Sequence, residues 1–183
     1  MIDNVEALRA AVKDGQSFRY ELFWGHRPSA DGRITSHCLS QWWACSFVVD
    51  GVTYSSTEQW MMAGKARLFG DAETLAEILA VSDPGVVKKL GRKVRGFDEA
   101  KWVAARFELV TRGNVEKFGQ DARLRGFLLK TGDAVLVEAS PFDSVWGIAL
   151  GASDERATDP LRWEGLNLLG FALMRAREQL RRG

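Results

Sequence analysis

The feature that most constrains the fold of this chain is an unbroken series of helix signals between residues 55 and 132. Asp71 and Asp121 each precede an apolar stripe of helical spacing, and Pro84 suits the first turn of another helix. Residues 98 to 118 carry the longest stripe of the series. Because no strand pattern interrupts these helices, the chain lacks the regular strand–helix alternation of a doubly wound fold.

Strand patterns are confined to three short stretches outside that series. Residues 17 to 25 alternate apolar and polar side chains, and residues 134 to 139 form an apolar run typical of a buried strand. Residues 45 to 55 contain two β-rich runs around Asp50-Gly51, which is a strong hairpin signal. These stretches are enough for a small sheet.

Two more helices are predicted toward the ends of the chain. An amphipathic helix begins near Val5 and ends at Gly15, and a C-terminal helix is expected from about 163 to 181. We therefore predict an α+β fold, mostly helical with a small β-sheet, in a single domain spanning residues 1–183.

Composition and charge exclude several classes of protein. The net charge of +1 points to neither a nucleic-acid binder nor a membrane-surface protein, and no apolar run approaches the length of a membrane span. The N-terminal stretch lacks the apolar core of a signal peptide. Cys38 and Cys45 form no CxxC pair, and His26 and His37 lack metal-ligand spacing. We expect a soluble cytoplasmic protein with free thiols, no metal site and no membrane partner, of open oligomeric state.

The helix predicted from residue 55 carries charged side chains on its apolar face. At 100° per residue, Glu58 and Lys65 share that face with Met61 and Met62. One interpretation is structural: Ser55-x-x-Glu58 fits a capping box, and Lys65 extends its ammonium to water. The other is that Glu58 projects into a pocket as an acid, base or cation stabiliser, with Lys65 holding a phosphate or hydroxyl nearby.

A second polar residue on an apolar stripe is Asn114, which follows Val103, Phe107 and Val110 at helical spacing. A buried Asn needs partners, so it bonds either a neighbouring loop or a ligand. Trp102 and Arg106 lie four residues apart, which allows the guanidinium to stack on the indole. An ordinary surface pair at the edge of the stripe is the alternative for these two residues.

The third such residue is Asn167, which Gly165 and Gly170 flank in the predicted C-terminal helix. Each glycine in a helix costs about 1 kcal/mol relative to Ala, so the pair predicts close approach of a backbone or a ligand. Tight helix packing and a ligand contact both remain compatible with this pattern.

The loop SPFDSVWG, residues 140 to 147, follows the predicted buried strand and pairs a carboxylate, Asp143, with the flat indole of Trp146. A turn alone also explains its Pro and Asp. The chain has no P-loop, GxGxxG or GxSxG motif. Its carboxylates, cationic side chains and tryptophans suit cleavage of a bond through a cationic, sugar-like transition state.

Ordered motifs from about Phe23 to Arg177 resemble the YbiA-like, or NADAR, family. They read YSSTEQWMMAGKARLFGD, LGRKVRGFDEAKWVAARFELV, RGNVEKFGQ, LLKTGDAVLVEASPFDSVWGIAL and WEGLNLLGFALMRAR. The resemblance implies a compact, mostly helical fold and N-glycosidase activity without a cofactor. It implies as substrates the phosphoribosylamino-pyrimidine intermediates of riboflavin biosynthesis, which yield ribose 5-phosphate. Alternatively, the substrate is ADP-ribosylated guanine in nucleic acid or nucleoside.

The family's functional positions fall on residues already singled out. The Glu and Lys of its E-x(6)-K helix are Glu58 and Lys65, and the Asp and Trp of its D-x-x-W-G loop are Asp143 and Trp146. The tryptophan of its long helix and the asparagine of its N-x-LG helix match the following residues: Trp102 and Asn167. The chain departs from the common family pattern at two places, Ser40-Gln41-Trp42 and Gln59-Trp60, which we expect to reshape the pocket.

The resemblance leads to a specific expectation for the site. Glu58 or Asp143 stabilises the ribosyl cation or orients water, and Lys65 contacts ribose hydroxyls or an open sugar. Trp102 or Trp146 stacks the leaving ring, while Asn114, Asn167 and Arg106 belong to the binding site. The remaining phosphate candidates are basic residues: Arg92 and Lys117. A module that binds ADP-ribose or a nucleotide without cleaving it is the alternative from a different class.

Overall fold

The computed structural model describes residues 2–183, which form seven α-helices and four short strands. The helices are α1 (Val5–Lys13), α2 (Thr57–Leu68), α3 (Ala72–Leu79), α4 (Pro84–Gly91), α5 (Glu99–Gln120), α6 (Ala122–Lys130) and α7 (Leu168–Arg182). The strands are β1 (Tyr20–Phe23), β2 (Phe47–Val49), β3 (Val52–Tyr54) and β4 (Val135–Glu138). The prediction of a mostly helical α+β fold is confirmed.

The strands form two separate two-stranded sheets rather than one sheet. β2 and β3 are antiparallel, and Asp50 and Gly51 both take positive φ values at the turn between them, as the hairpin signal predicts. β1 and β4 are parallel, in a register that pairs Tyr20 with Val135 and Phe23 with Glu138. The predicted strand at 17–25 is therefore only four residues long.

Local capping explains where the central helices begin. Asp71 accepts the backbone N–H of Thr74 at the start of α3, and Asp121 accepts those of Arg123 and Leu124 at the start of α6. Asp83 caps α4 immediately before Pro84, which occupies the first turn as predicted. These side chains satisfy backbone donors that a helix leaves free, so each boundary follows from its own few residues.

The C-terminal helix begins later than the sequence pattern predicts. α7 starts at Leu168 because Asn167 adopts a left-handed conformation with φ 53°. Gly165 consequently lies outside the helix, where a Cβ would come within 2.3 Å of the Gly147 carbonyl oxygen. A Cβ at Gly170 would lie 2.0 Å from the Leu136 oxygen. Both glycines thus permit close backbone approach, as predicted, although only one of them is helical.

The core lies between α5 and its neighbours α2 and α7, with a second apolar cluster over the β1–β4 sheet. The predicted stripe on α5 is wrong at Val103, which is 47% exposed, and Trp102 occupies the buried position instead. Neither cysteine forms a disulfide. Along residues 2–183, every helix is too short or too polar to traverse a bilayer.

The fold brings one end of the small parallel sheet to the open face between α2, α4 and α5. Because parallel strands end at the same edge, the loops that follow Phe23 and Glu138 emerge side by side. They are closed off by the N-terminal turn of α2 and by the C-terminal end of α4. The cavity described next lies at this meeting of loops and helix ends, which is a common position for functional groups.

Candidate active site

A two-lobed cavity occupies this face. We call one part the basic lobe, about 490 Å³, which is lined by Glu58, Lys65, Arg92, Glu99, Trp102, Arg106 and Trp146, among others. We call the other the aromatic lobe, about 600 Å³, which is lined by Trp24, His26, Arg27, His37 and their neighbours. Both lobes share a wall made of Ser40, Trp42, Lys88, Glu138, Phe142 and Asp143. Two of those six side chains are carboxylates, so acidic groups lie where the lobes meet.

Glu58 enters the cavity because a different residue performs the capping that the sequence suggested for it. Ser56 is the N-cap of α2 and accepts the backbone N–H of Gln59. The Gln59 side chain then accepts the backbone N–H of Ser55 at 2.7 Å. The capping-box interpretation of Glu58 is therefore wrong by one residue, and the Glu58 carboxylate is free to face the basic lobe.

Burial is the largest influence on the pKa of Glu58, a residue that is only 4% exposed. Desolvation raises its pKa to about 7, and the negative charge of Asp143 adds to this effect. The charges of Lys88 and Arg92 and a hydrogen bond from Trp42 act in the opposite direction. At neutral pH Glu58 therefore exchanges readily between acid and carboxylate, which suits proton transfer.

Glu138 is the residue of the site that sequence reasoning missed. It is the last residue of β4, it lines both lobes, and its Oε2 atom is buried without a hydrogen-bond partner among residues 2–183. Burial raises its pKa to about 8, with Asp143 and Glu58 as further causes. A carboxylic acid that keeps its proton at neutral pH is a candidate general acid.

Asp143 provides the third carboxyl group, in a different environment. Its Oδ1 accepts the backbone N–H groups of Val145 at 2.9 Å and Trp146 at 2.7 Å. These two donors fix the side chain at the wall between the lobes. The loop geometry that also makes a turn here thus presents the carboxylate to the cavity.

Lys65 lies on the opposite wall of the basic lobe. Its Nζ donates to the Gly91 carbonyl at 2.9 Å and lies 4.4 Å from the centre of the Phe97 ring and 5.7 Å from that of Trp102. Partial burial lowers the pKa of Lys65, although Glu99 opposes this. The ammonium is therefore held at the cavity rather than extended to water, with donors to spare for a substrate oxygen.

Four of the other predicted residues lie together in one lobe. Trp102, Trp146, Arg106 and the phosphate candidate Arg92 all line the basic lobe. The cation over the Trp102 ring is Lys65, so the predicted stacking partner of this indole is replaced. Arg92 and Arg106 bring two guanidinium groups to the lobe, where they are suited to bind phosphate.

Asn114 and Asn167 are fully buried behind the cavity instead of lining it. The Asn114 amide donates to Gln41 Oε1 at 3.3 Å, and Gln41 itself faces the basic lobe. Asn167 accepts the backbone N–H of Glu138 at 3.0 Å and donates to the Leu136 carbonyl at 2.9 Å. Both asparagines therefore position residues of the cavity wall.

Lys117 is wrong as a phosphate candidate, because its side chain belongs to the core. The residue is 1% exposed, and its Nζ donates to the carbonyl oxygens of Cys38 at 2.6 Å and Ser40 at 2.9 Å. Those bonds anchor the segment that precedes Trp42. Lys117 thus supports the shared wall from behind.

The two departures from the common family pattern have different consequences. Gln41 and Trp42 line the basic lobe, so this departure does change the cavity wall. Gln59 instead donates to the carbonyls of Ile78 and Val81, and Trp60 donates its indole N–H to Leu109. The second departure therefore alters helix packing away from the two lobes.

The comparisons with known proteins agree with this architecture. The NADAR domain matches residues 22–181. The chain is 40% identical to the N-glycosidase R617 of Acanthamoeba polyphaga mimivirus, over 88% of this chain and 96% of that protein. It is 34% identical to the N-glycosidase YbiA of Escherichia coli, over 72% and 74% respectively. The NMR structure of E. coli YbiA superposes with a TM-score of 0.68 at 30% identity, covering 91% of this chain and 87% of the other.

Proposed function

This chain belongs to the NADAR family, and from that premise we propose that the two-lobed cavity hydrolyses the N-glycosidic bond of a phosphorylated ribosylamine. The chain is accordingly an enzyme, a hydrolase acting on N-glycosyl compounds. The substrate we favour is a phosphoribosylamino-pyrimidine intermediate of riboflavin biosynthesis. Its hydrolysis releases ribose 5-phosphate and a free aminopyrimidine.

The observation that carries this proposal is the different environment of three carboxyl groups at one cavity. Glu138 has a pKa raised to about 8 and is an acid at neutral pH, whereas Asp143 is held as an acceptor by two backbone N–H groups. Glu58 has a pKa raised to about 7, so both its acid and its carboxylate form are available near neutral pH. Glycoside hydrolysis needs a proton donor on one side of the bond and a carboxylate on the other.

The roles of the three groups follow from their environments. Glu138 donates its proton to the leaving amine nitrogen as the C1′–N bond breaks. Asp143 stabilises the cationic ribosyl group electrostatically. Glu58, in its ionised form, accepts a proton from the water that attacks C1′. The products are the free amine and the sugar hydroxyl, and the cycle closes when Glu58 releases its proton to solvent and Glu138 takes one up.

The basic lobe supplies the binding energy for the sugar phosphate. Lys65 is anchored to Gly91 and directs its remaining N–H donors at ribose oxygens. Arg92 and Arg106 line the same lobe and offer planar donor groups for the phosphate. Trp102 and Trp146 then form apolar walls of the lobe beside the sugar.

ADP-ribosylated guanine is the second candidate substrate, and the extent of the cavity favours it. The two lobes share the wall that contains Glu138, and together they offer more room than one phosphoribosyl group needs. The bond to be broken is of the same type, because ribose is again attached through an exocyclic amine of a flat ring. The two substrates differ in the leaving ring, pyrimidine or guanine, and in the group beyond the ribose.

The test is to incubate the purified protein with a phosphoribosylamino-pyrimidine or with an ADP-ribosylated guanosine oligonucleotide and to measure released ribose 5-phosphate and ADP-ribose. We expect turnover of the first substrate and its loss in Glu58→Gln. Glu77→Gln is the matched control, because Glu77 is an exposed carboxylate on α3. Release of ADP-ribose alone would show that ADP-ribosylated guanine is the substrate. If neither product is released but the ligand raises the melting temperature, the protein is a binding module.

A further inference from the structure

The aromatic lobe exposes large rings that the proposed chemistry in the basic lobe does not use. Trp24 is 52% exposed and Phe142 is 87% exposed, although side chains of this size are usually buried. The two rings come from different loops, one after β1 and one after β4, yet their centroids lie 6.4 Å apart at an interplanar angle of 52°. Two converging apolar rings at a cavity mouth are typical of a site that grips a flat ligand.

The inner wall of this lobe adds polar groups to the rings. His26 lies 5.4 Å from the Trp42 ring, and Lys88 lies 5.8 Å from the same indole. His37 Nδ1 is 2.7 Å from the Arg27 carbonyl, which only accepts, so we assign the proton to Nδ1 and leave Nε2 as an acceptor. An acceptor among aromatic rings suits a heterocycle that bears amino or ring N–H groups.

The position of Glu138 decides which part of the substrate belongs here. This residue lines both lobes, and in the proposed function it protonates the leaving nitrogen. The leaving group must therefore extend away from Glu138 on the side opposite the sugar phosphate. Lys65, Arg92 and Arg106 line the basic lobe only, against Arg27 in the aromatic lobe and Lys88 in both. The balance of cations therefore favours the phosphate in the basic lobe and directs the ring to the aromatic lobe.

We propose that the aromatic lobe is the leaving-group subsite, in which Trp24 and Phe142 hold a flat, amino-bearing nitrogen heterocycle while the ribose occupies the basic lobe. This inference rests on the proposed function and differs from the expectation that Trp102 or Trp146 stacks the ring. Trp102 is 8% exposed and is already covered by the Lys65 ammonium. Trp24 and Phe142 thereby become determinants of which heterocycle is accepted.

The experiment compares Trp24→Ala and Phe142→Ala with Leu161→Ala, a control in which an exposed apolar side chain outside both lobes is truncated. Isothermal titration calorimetry gives the Kd of the free aminopyrimidine, of guanosine and of ribose 5-phosphate for each variant. We expect Trp24→Ala to raise the Kd of the preferred heterocycle about 5- to 100-fold, the range for loss of one stacking partner. Ribose 5-phosphate binding by Trp24→Ala stays within about twofold of the wild type, because Trp24, unlike Phe142, lines the aromatic lobe alone.

The outcomes distinguish failure of the subsite proposal from failure of the proposed function. Hydrolysis by the wild type combined with unchanged heterocycle binding in both ring variants would overturn the subsite. Equal weakening of ribose 5-phosphate would also overturn it, because the rings would then support the whole cavity. Absence of hydrolysis by the wild type would overturn the proposed function, and the heterocycle titrations would still decide what the lobe binds. Tighter binding of the aminopyrimidine or of guanosine shows which of the two candidate substrates supplies the heterocycle.

Discussion

Two regions of the molecule expose a carboxyl group to solvent to the same small extent but shift its pKa in opposite directions. Asp71, the cap of α3, and Glu58, in the first turn of α2, are both 4% exposed. Asp71 accepts hydrogen bonds from Thr74 Oγ1 at 2.7 Å and from the Arg95 backbone and guanidinium at 2.9 and 2.7 Å. These donors hold its pKa well below the usual range, whereas burial raises that of Glu58 to about 7.

The difference shows that hydrogen-bond donors can outweigh burial in setting the pKa of an inaccessible carboxyl group, and that burial dominates where such donors are few. Asp71 has donors for both oxygens, so it is an ordinary structural anion that joins α3 to the segment after α4. Glu138 has a buried oxygen that finds no partner within the described residues 2–183, and its neighbours Asp143 and Glu58 are acidic. A fold that leaves such a group unsatisfied loses stability there, which is the usual trade at functional sites.

The largest effect that we expect comes from removing the buried acid of the cavity, and it is an effect on catalysis. Glu138→Gln preserves the shape of the side chain and removes the proton that the leaving nitrogen needs. We expect kcat to fall about 10²- to 10⁴-fold, the usual contribution of a general acid, with the alkaline limb of the pH profile lost. Steady-state kinetics on the cleaved substrate measure this. A substrate with a better leaving group recovers part of the loss, and equal losses on both substrates would contradict the acid role.

The second effect concerns stability and has a defined sign. Because Glu58 and Glu138 hold protons in the native state up to pH values of about 7 and 8, and the unfolded chain releases them near 4.5, stability falls as the pH rises through the native values. We expect the free energy of unfolding to drop by about 2–4 kcal/mol between pH 6 and pH 9. Urea denaturation measures the drop, which the double variant Glu58→Gln/Glu138→Gln should largely abolish.

A third, smaller effect tests how the acid is positioned. Asn167→Ala leaves the Glu138 N–H and the Leu136 carbonyl without their buried partner, which costs about 1–3 kcal/mol. We expect kcat to fall while KM changes little, because the ribose-binding side chains are untouched. Asn167→Gly is the control, since it removes the same bonds and accepts the φ of 53° without strain. Full activity in both variants would show that β4 holds Glu138 unaided.

The fold was predictable wherever a boundary depends on neighbouring residues. The caps at Asp71 and Asp121 and the Asp50-Gly51 turn are local, and each lies where the pattern predicts. The errors lie elsewhere: the C-terminal helix starts at Leu168 rather than near 163, and the stripe on α5 is shifted by one position. Val103 was predicted to be buried in place of Trp102 because a helical stripe read from sequence leaves its phase uncertain by about one residue.

The candidate site was predictable only in part, because its key contacts join distant segments. The E-x(6)-K pattern led to Glu58 and Lys65, and both face the basic lobe. Glu138 ends an apolar strand, and that was the one available signal, but its importance depends on pairing with β1, more than a hundred residues earlier. Ser56 rather than Ser55 caps α2, and this choice leaves the Glu58 carboxylate free. It depends on the Gln59 side chain, which also donates to the distant Ile78 carbonyl.

The smallest expected effect comes from the opposite side of the comparison, at Asp71. Asp71→Asn keeps a hydrogen-bond acceptor for the Thr74 backbone N–H but removes the charge that pairs with Arg95, a side chain that is 66% exposed. A depressed native pKa adds stability above the usual Asp range and loses it as the pH falls. We therefore expect a modest drop in melting temperature at pH 7 that shrinks once the pH falls below the usual Asp range, with activity unchanged. The Glu58→Gln/Glu138→Gln variant should instead differ most from the wild type at alkaline pH. If both variants diverged from the wild type over the same pH range, the two regions would not differ in charge as their hydrogen-bond partners require.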